Sequence, residues 1–180
     1  MGSLTGKRIL IVIAEGYHEH EFWFPYYRFL EAGAEVVTAG PKPGPVVGEG
    51  RHGKDGLLAE VDCSVEDAAG RPFDCVFLPG GIYGPLTLRN HRPTLKLVKE
   101  AMDRRVIVGA ICHAQWILVS AGVVAGRSLT CPPDMADDVR NAGGVYLKEK
   151  CVVDGNLVTA VYFAYLPAMF QALIPLLAGR

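Results

Sequence analysis

A chain of 180 residues, half of them hydrophobic and with a mean hydropathy of +0.22, is long enough for one domain with a substantial core and too apolar for a disordered segment. Its net charge of -1 comes from 18 basic and 19 acidic residues scattered along the chain, which leaves no basic stripe for nucleic acid. No apolar run reaches the ~18 residues of a spanning helix, and Met1 to Arg8 shows no signal-peptide pattern; the five cysteines lack CxxC spacing. The expectations are therefore no membrane, a cytoplasmic location, no disulfide framework and no zinc ribbon.

In chain order, the run from Arg8 to Ala14 reads as a buried strand, and a helical apolar period from Glu21 to Ala32 ends at Gly33. Residues 35–39 read as the next strand, followed by a Gly/Pro-rich loop from Gly40 to Gly56, with Leu57 to Val61 as an edge ribbon. Then come a strand over Cys75–Leu78, a turn at Pro79-Gly80-Gly81, a helix from Thr94 to Arg104 and a strand from Val106 to Ala110. Beyond Cys112 the pattern gives a helix, a strand at Ser128–Thr130, a short helix from Pro133 to Ala142 and a strand at Val145–Leu147. A hairpin over residues 151–159 turns at Asp154-Gly155-Asn156, and a final helix runs from about Ala164 to Leu177. Alternation of this kind predicts one α/β domain over residues 1–180: a doubly wound, mostly parallel sheet with helices on both faces and a small edge hairpin.

Ligands of such sheets bind beyond the carboxyl ends of the strands. Three segments fall there: Glu15 to Glu21, Gly80-Gly81, and Cys112-His113, where a β-branched run meets a helical one. A cysteine on a strand-to-helix elbow stands clear of the sheet at the positive end of a helix, which favours its thiolate. The expectation is a Cys112 pKa well below the usual ~8.5 and selective alkylation. Two readings stand on these residues alone, a reactive thiol or a buried core cysteine beside a solvated histidine. Gly80-Gly81 would let backbone amides approach an oxyanion, with the His113 amide as a second donor, or would simply turn the chain.

Several short motifs together carry a resemblance to the ThiJ/PfpI family, a class I glutamine-amidotransferase-like, flavodoxin-like group of glyoxalase III enzymes, protein deglycases and intracellular peptidases. They are Phe24-Pro25-Tyr26-Tyr27-Arg28, Leu78-Pro79-Gly80-Gly81, Ala110-Ile111-Cys112-His113, Ser120 to Val123, Asp137-Asp138 with Asn141 to Gly143, and Val152 to Asn156. The resemblance implies that Cys112 is the nucleophile, that Gly81 and His113 supply oxyanion amides, and that the acid four residues before the first-helix proline, Glu21, holds the thiol. It also implies a homodimer or larger homo-oligomer, in keeping with the apolar face Phe22, Trp23, Phe24, Tyr26, Tyr27.

A carboxyl beside a thiolate would be a like-charge pair if ionised, so Glu21 should be held protonated as a general acid/base; on its own it also reads as an ordinary first-turn glutamate. His18 joins it as a proton shuttle, and Gly80, Tyr17, Trp116 and Tyr162 are candidate substrate contacts, although aromatics at such spacings are often core. The peptidases of the family this chain resembles carry an acid shortly after the diglycine turn that orients a neighbouring subunit's histidine; residues 82–87 hold none here, so a Cys-His-Glu triad is incomplete and peptide hydrolysis is not expected. The cluster of His18, His20, Glu21, Cys112 and His113 has no recognised ligand spacing, so neither metal nor cofactor is expected. The function read from these residues is a cysteine enzyme acting on a small electrophile; the resemblance implies a cofactor-free, glyoxalase III-like or deglycase-like conversion of 2-oxoaldehydes, or a related hydratase or hydrolase reaction. The alternative is a redox-stress protein working through Cys112 oxidation.

Overall fold

An apolar strand with no polar alternate must be covered on both faces, and the computed structural model, which describes residues 2–50 and 56–179, shows that cover. Its elements run β1 (Arg8–Val12), α1 (Glu19–Glu31), β2 (Glu35–Gly40), β3 (Gly44–Val47), β4 (Leu58–Val61), β5 (Cys63–Ser64), α2 (Val65–Ala68), β6 (Cys75–Leu78) and α3 (Tyr83–Leu88). They continue with α4 (Arg92–Asp103), β7 (Ile107–Ile111), α5 (Gln115–Ser120), β8 (Ser128–Leu129), α6 (Ala136–Asn141), β9 (Val145–Tyr146), β10 (Cys151–Asp154), β11 (Leu157–Ala160) and α7 (Leu166–Ala178). The main sheet has seven strands in the order β10-β11-β7-β6-β1-β2-β5, parallel except for the edge strand β10. This is the doubly wound layout expected from the sequence.

Alternate residues of the central strands feed two separate cores. Leu10, Val12, Val76, Leu78 and Val108 pack with α4 and α5 residues such as Val98, Ile117 and Leu118. Ile9, Ile11, Phe77, Ile107 and Val158 pack on the other face against Phe22 and Phe29 of α1 and Met169, Phe170 and Leu173 of α7. Burying one such side chain stabilises by about 1.5–3 kcal/mol, so each face holds a layer of helices.

The differences from the sequence reading lie in short elements. The loop from Gly40 contains β3, which pairs antiparallel with β4 as a two-stranded ribbon off the main sheet; part of the loop, residues 51–55, lies outside the described residues. The sequence reading places no helix between Gly81 and Thr94, yet α3 forms across Gly84 and Pro85, because a proline in the first helical turn gives up an amide that would have no partner anyway. Two four- and two-residue pieces, α2 and β5, are too short to leave a period in the sequence.

Candidate functional site

Strand β7 ends with Ile111 in an extended conformation, and Cys112 then takes φ +59°, a left-handed value shared among described non-glycine residues only by Arg105. Such a conformation costs about 1–3 kcal/mol and persists only where the surroundings hold it. A single 3-10 turn, Cys112–Ala114, leads into α5. The clamp is Gln115, fully buried, whose Nε2 donates to the carbonyls of Thr130 (3.0 Å) and Ala160 (3.1 Å) and thus ties the segments after β8 and at the end of β11 to the elbow. No pattern in the chain marks this role, since a lone glutamine in a helical run is ordinary.

On the inner side of the elbow lies Glu21, at 0% exposure. Its Oε2 accepts the Gly80 amide at 3.0 Å, while Oε1 is buried without a hydrogen-bond partner. Gly80 is needed for space, because a Cβ there would run into Glu21 Oε2 and stand 2.6 Å from the Cys112 Cβ; Gly81 is needed for its φ of +97°. The amides of Gly81 and His113 are both directed at the Cys112 sulfur. The Ile82 amide, next in line, donates to Glu49 Oε2 at 2.9 Å.

Burial pushes the Glu21 carboxyl up to about 8, against the opposing pull of the Gly80 amide, with the Glu49 charge adding to the rise. It is therefore protonated at neutral pH. For Cys112 the expectation of a lowered pKa is overturned: burial pushes the thiol up, a charged Glu21 would push it further, and the His113 and Gly81 amides only partly offset this. The helix-end argument failed because the helix begins as one 3-10 turn on a thiol that is already largely buried.

On the outer side, His113 Nδ1 stands 3.3 Å from Cys112 Sγ and its Nε2 stands 3.3 Å from Asp134 Oδ2. A carboxylate at Nε2 keeps the ring hydrogen there and leaves Nδ1 as an acceptor facing the thiol. The stretch after Gly81 is acid-free as read, but the conclusion that the histidine has no orienting acid is corrected by Asp134. That residue follows Cys131-Pro132-Pro133, where the 3-10 turn Pro133–Met135 carries it back over the elbow. The thiol opens into a cleft of about 560 Å³ lined by Cys131, Tyr146, Lys148, Lys150, Tyr162 and Tyr165 among others.

Of the sequence-derived candidates, Cys112, Glu21, Gly80, Gly81 and His113 meet at one point, and Tyr162 lines the cleft. Tyr17 does not: it is 1% exposed, stacked edge-on to Phe22, with its hydroxyl bonded to the Leu57 carbonyl. Gly80 bonds Glu21 and the His18 amide and stays out of the cleft. Trp116 flanks His113, ring centroids 4.7 Å apart, and bonds Asp138 instead of facing the cleft. His18 occupies the N-cap position of α1 without a side-chain hydrogen bond, its ring stacked on Phe163 at 5.2 Å, and burial lowers its pKa. Among the described residues no group of three or more His, Cys, Asp or Glu side chains is arranged to hold a metal ion.

A doubly wound sheet with a strained cysteine elbow, a diglycine turn and a buried acid defines a class of protein, and comparison with known proteins gives it a family. The DJ-1/PfpI family model matches residues 7–176, and the chain belongs to that family. It is 33% identical over 170 residues to a deglycase of Thermococcus kodakarensis, covering 94% of this chain and 99% of that protein. It is also 33% identical over 174 residues to protein/nucleic acid deglycase 2 of Escherichia coli, covering 96% and 99%. The crystal structure of Drosophila melanogaster DJ-1beta superposes with a TM-score of 0.88 at 28% identity, covering 100% of this chain and 92% of the other. No helix among the described residues is long and apolar enough to cross a membrane.

Proposed function

We propose that this chain is a cofactor-free enzyme that uses Cys112 to convert small 2-oxoaldehydes, free or as their adducts, to 2-hydroxy acids, in the manner that the deglycase names of its relatives suggest. The observation that carries the reading is the placement of one sulfur between two proton-handling groups, buried Glu21 and the His113–Asp134 pair, with two backbone amides aimed at it. As the thiol proton passes to His113 Nδ1, Sγ bonds to the aldehyde carbon, and the Gly81 and His113 amides stabilise the oxygen that becomes negative. That oxygen takes up a proton, giving a hemithioacetal. A proton then leaves the former aldehyde carbon and another arrives at the neighbouring keto carbon, the first carbon being oxidised and the second reduced, to give a thioester. Addition of water and cleavage of the C–S bond return the thiol. Glu21 supplies and recovers protons on the buried side.

A raised thiol pKa fits this better than a standing thiolate would, because the nucleophile is released only when His113 accepts the proton. The test is consumption of methylglyoxal or phenylglyoxal by peroxide-free protein, with the hydroxy acid followed by NMR, against Cys112→Ala. Turnover in neither protein would sink the reading and favour the alternative, a redox-stress protein whose output is Cys112 oxidation. Homo-oligomerisation belongs to the same proposal: Phe24, Tyr27, Leu57 and Leu58 are exposed at 39%, 59%, 58% and 64% around one hollow, whereas Phe22 of the expected apolar face is core. Light scattering at micromolar concentration tests it, and a monomer would remove it.

A further inference from the structure

Three successive amides of the diglycine turn point at three different acceptors: Gly80 at Glu21 Oε2 (3.0 Å), Gly81 at the Cys112 sulfur, and Ile82 at Glu49 Oε2 (2.9 Å). The outer two acceptors are side-chain carboxyl oxygens, so the middle amide is aimed by what is held on either side of it. Glu49 is itself anchored. Its amide donates to the Tyr17 carbonyl at 2.8 Å, the Gly48 amide before it to Leu57 at 2.9 Å, and the Gly50 amide after it to Glu19 Oε1 at 2.8 Å. The segment thus bridges the β3–β4 ribbon, the start of α1 and the oxyanion turn. A Cβ on Gly81 would stand 3.0 Å from Glu49 Oε2, which shows how closely the carboxylate follows that turn.

We infer that Glu49 is a positioning residue for this site: by gripping the Ile82 amide it aims the Gly81 amide at Cys112, and it sets a fixed negative charge against the Glu21–Cys112 pair. A carboxylate is more than the geometry alone would need, since any acceptor could hold one amide. The second consequence is therefore electrostatic. The charge disfavours loss of a proton from either Glu21 or Cys112, and its effect is felt at both. The other titratable groups facing this pair are His18 from the start of α1, which also feels Glu49, and His113 from the elbow with Asp134 behind it; Glu19 acts on His18 and Tyr17. Glu49 is the carboxylate among these that holds the oxyanion turn without being part of the proton pair. Because Glu21 and Cys112 share one environment, their proton losses belong to the pair and not to either residue.

The aiming half of the inference rests on the proposed reaction, and the electrostatic half does not, so the experiment has two arms. In the first, the rate of Cys112 alkylation by iodoacetamide is followed by mass mapping from pH 6 to 10 for wild type and Glu49→Gln. Gln keeps an oxygen for the Ile82 amide and removes only the charge, so the rising limb of the profile should move down by about half a pH unit or more, roughly threefold faster alkylation at a given pH. In the second arm, kcat and KM for methylglyoxal are measured for Glu49→Gln and Glu49→Ala. Gln should keep kcat at the pH optimum within about threefold, whereas Ala, which frees the turn, should lower kcat roughly tenfold or more at a nearly unchanged KM. An alkylation profile of Glu49→Gln that superimposes on wild type overturns the electrostatic half. A kcat of Glu49→Ala equal to wild type overturns the aiming half. Wild type that alkylates normally but consumes no aldehyde refutes the proposed reaction and the aiming half with it, while the alkylation arm still decides the charge.

Discussion

The two sides of Cys112 offer a proton opposite surroundings. On the inner side Glu21 is wholly buried, bonded to a backbone amide, and its carboxyl is pushed up to about 8. On the outer side His113 is nearly covered, at 14% side-chain exposure, but its partner Asp134 is 69% exposed. A group without water keeps its proton until a reaction demands it; a group at the rim exchanges protons with solvent and can be reset after each turnover. One sulfur between such groups can lose a proton outward and have its product protonated from within. The left-handed backbone at Cys112, held by its surroundings, sets the sulfur between them.

The hardest test of this division is the sulfur itself. Cys112→Ala should lower turnover of 2-oxoaldehydes by about 10⁴-fold or more, because the covalent route is lost and what remains is binding and amide polarisation. Activity within tenfold of wild type would mean that both sides serve something other than Cys112. Glu21→Gln, measured as kcat/KM on the same substrate, should cost about 100-fold, the scale of general acid/base catalysis. Wild-type activity in that variant would remove the inner side from the mechanism.

How much of this was legible beforehand follows from the range of the forces involved. Strands β1, β6 and β7 and the elbow were readable because an unbroken apolar run ending at Cys-His is a local pattern, and the rule that sites lie past strand ends brought Glu21, Gly80, Gly81 and Cys112 together. Glu49, Asp134 and Gln115 were not readable. Each acts across the fold through hydrogen bonds to backbone or ring atoms, 33 residues away for Glu49 to Ile82, 21 for Asp134 to His113 and 45 for Gln115 to Ala160, and no periodicity marks such a partner. Tyr17 misled for a related reason: its position beside the site in sequence is real, but the chain there turns the ring into the core. The thiol pKa was misjudged because burial is a tertiary quantity, and here it outweighs the oriented amides.

The inner side also makes a stability prediction whose sign can be worked out. The folded Glu21 pKa of about 8 lies above the usual carboxylate value. Below that usual value, ~4.3, both states hold the proton and the stability is fully present. As pH rises from there towards 8, the unfolded chain releases a proton that the folded chain retains, so unfolding becomes easier by up to about 1.4 kcal/mol per pH unit. Glu21→Gln has no such proton, and the difference isolates this one group. The melting temperature of Glu21→Gln relative to wild type should climb between pH 5 and 8. Parallel curves would show that Glu21 is ionised in the folded protein at neutral pH.

The smallest effect is expected on the outer side, at Asp134. Its contact with His113 is 3.3 Å and mostly solvent-exposed, so water screens the pair and its contribution to stability is slight; Asp134→Ala should leave the melting temperature nearly unchanged. What it removes is control over which ring nitrogen carries the hydrogen. Where an orienting acid is buried and that control is complete, its loss costs about 10⁴ in rate; at an exposed carboxylate, water competes for Nε2 and already allows the wrong tautomer part of the time. The expected loss in kcat is therefore only about tenfold, at an unchanged KM. The substrate should matter as well. An aldehyde needs His113 only to take up the thiol proton, whereas an amide also needs it to protonate a departing amine, and a cleft of about 560 Å³ is the size of a small-molecule site rather than a peptide groove. Casein should thus remain uncleaved by wild type. Casein hydrolysis that is lost in both Cys112→Ala and Asp134→Ala would show that the outer side is a working Cys-His-Asp triad, and that Asp134 restores the amide chemistry which the acid-free turn after Gly81 had excluded.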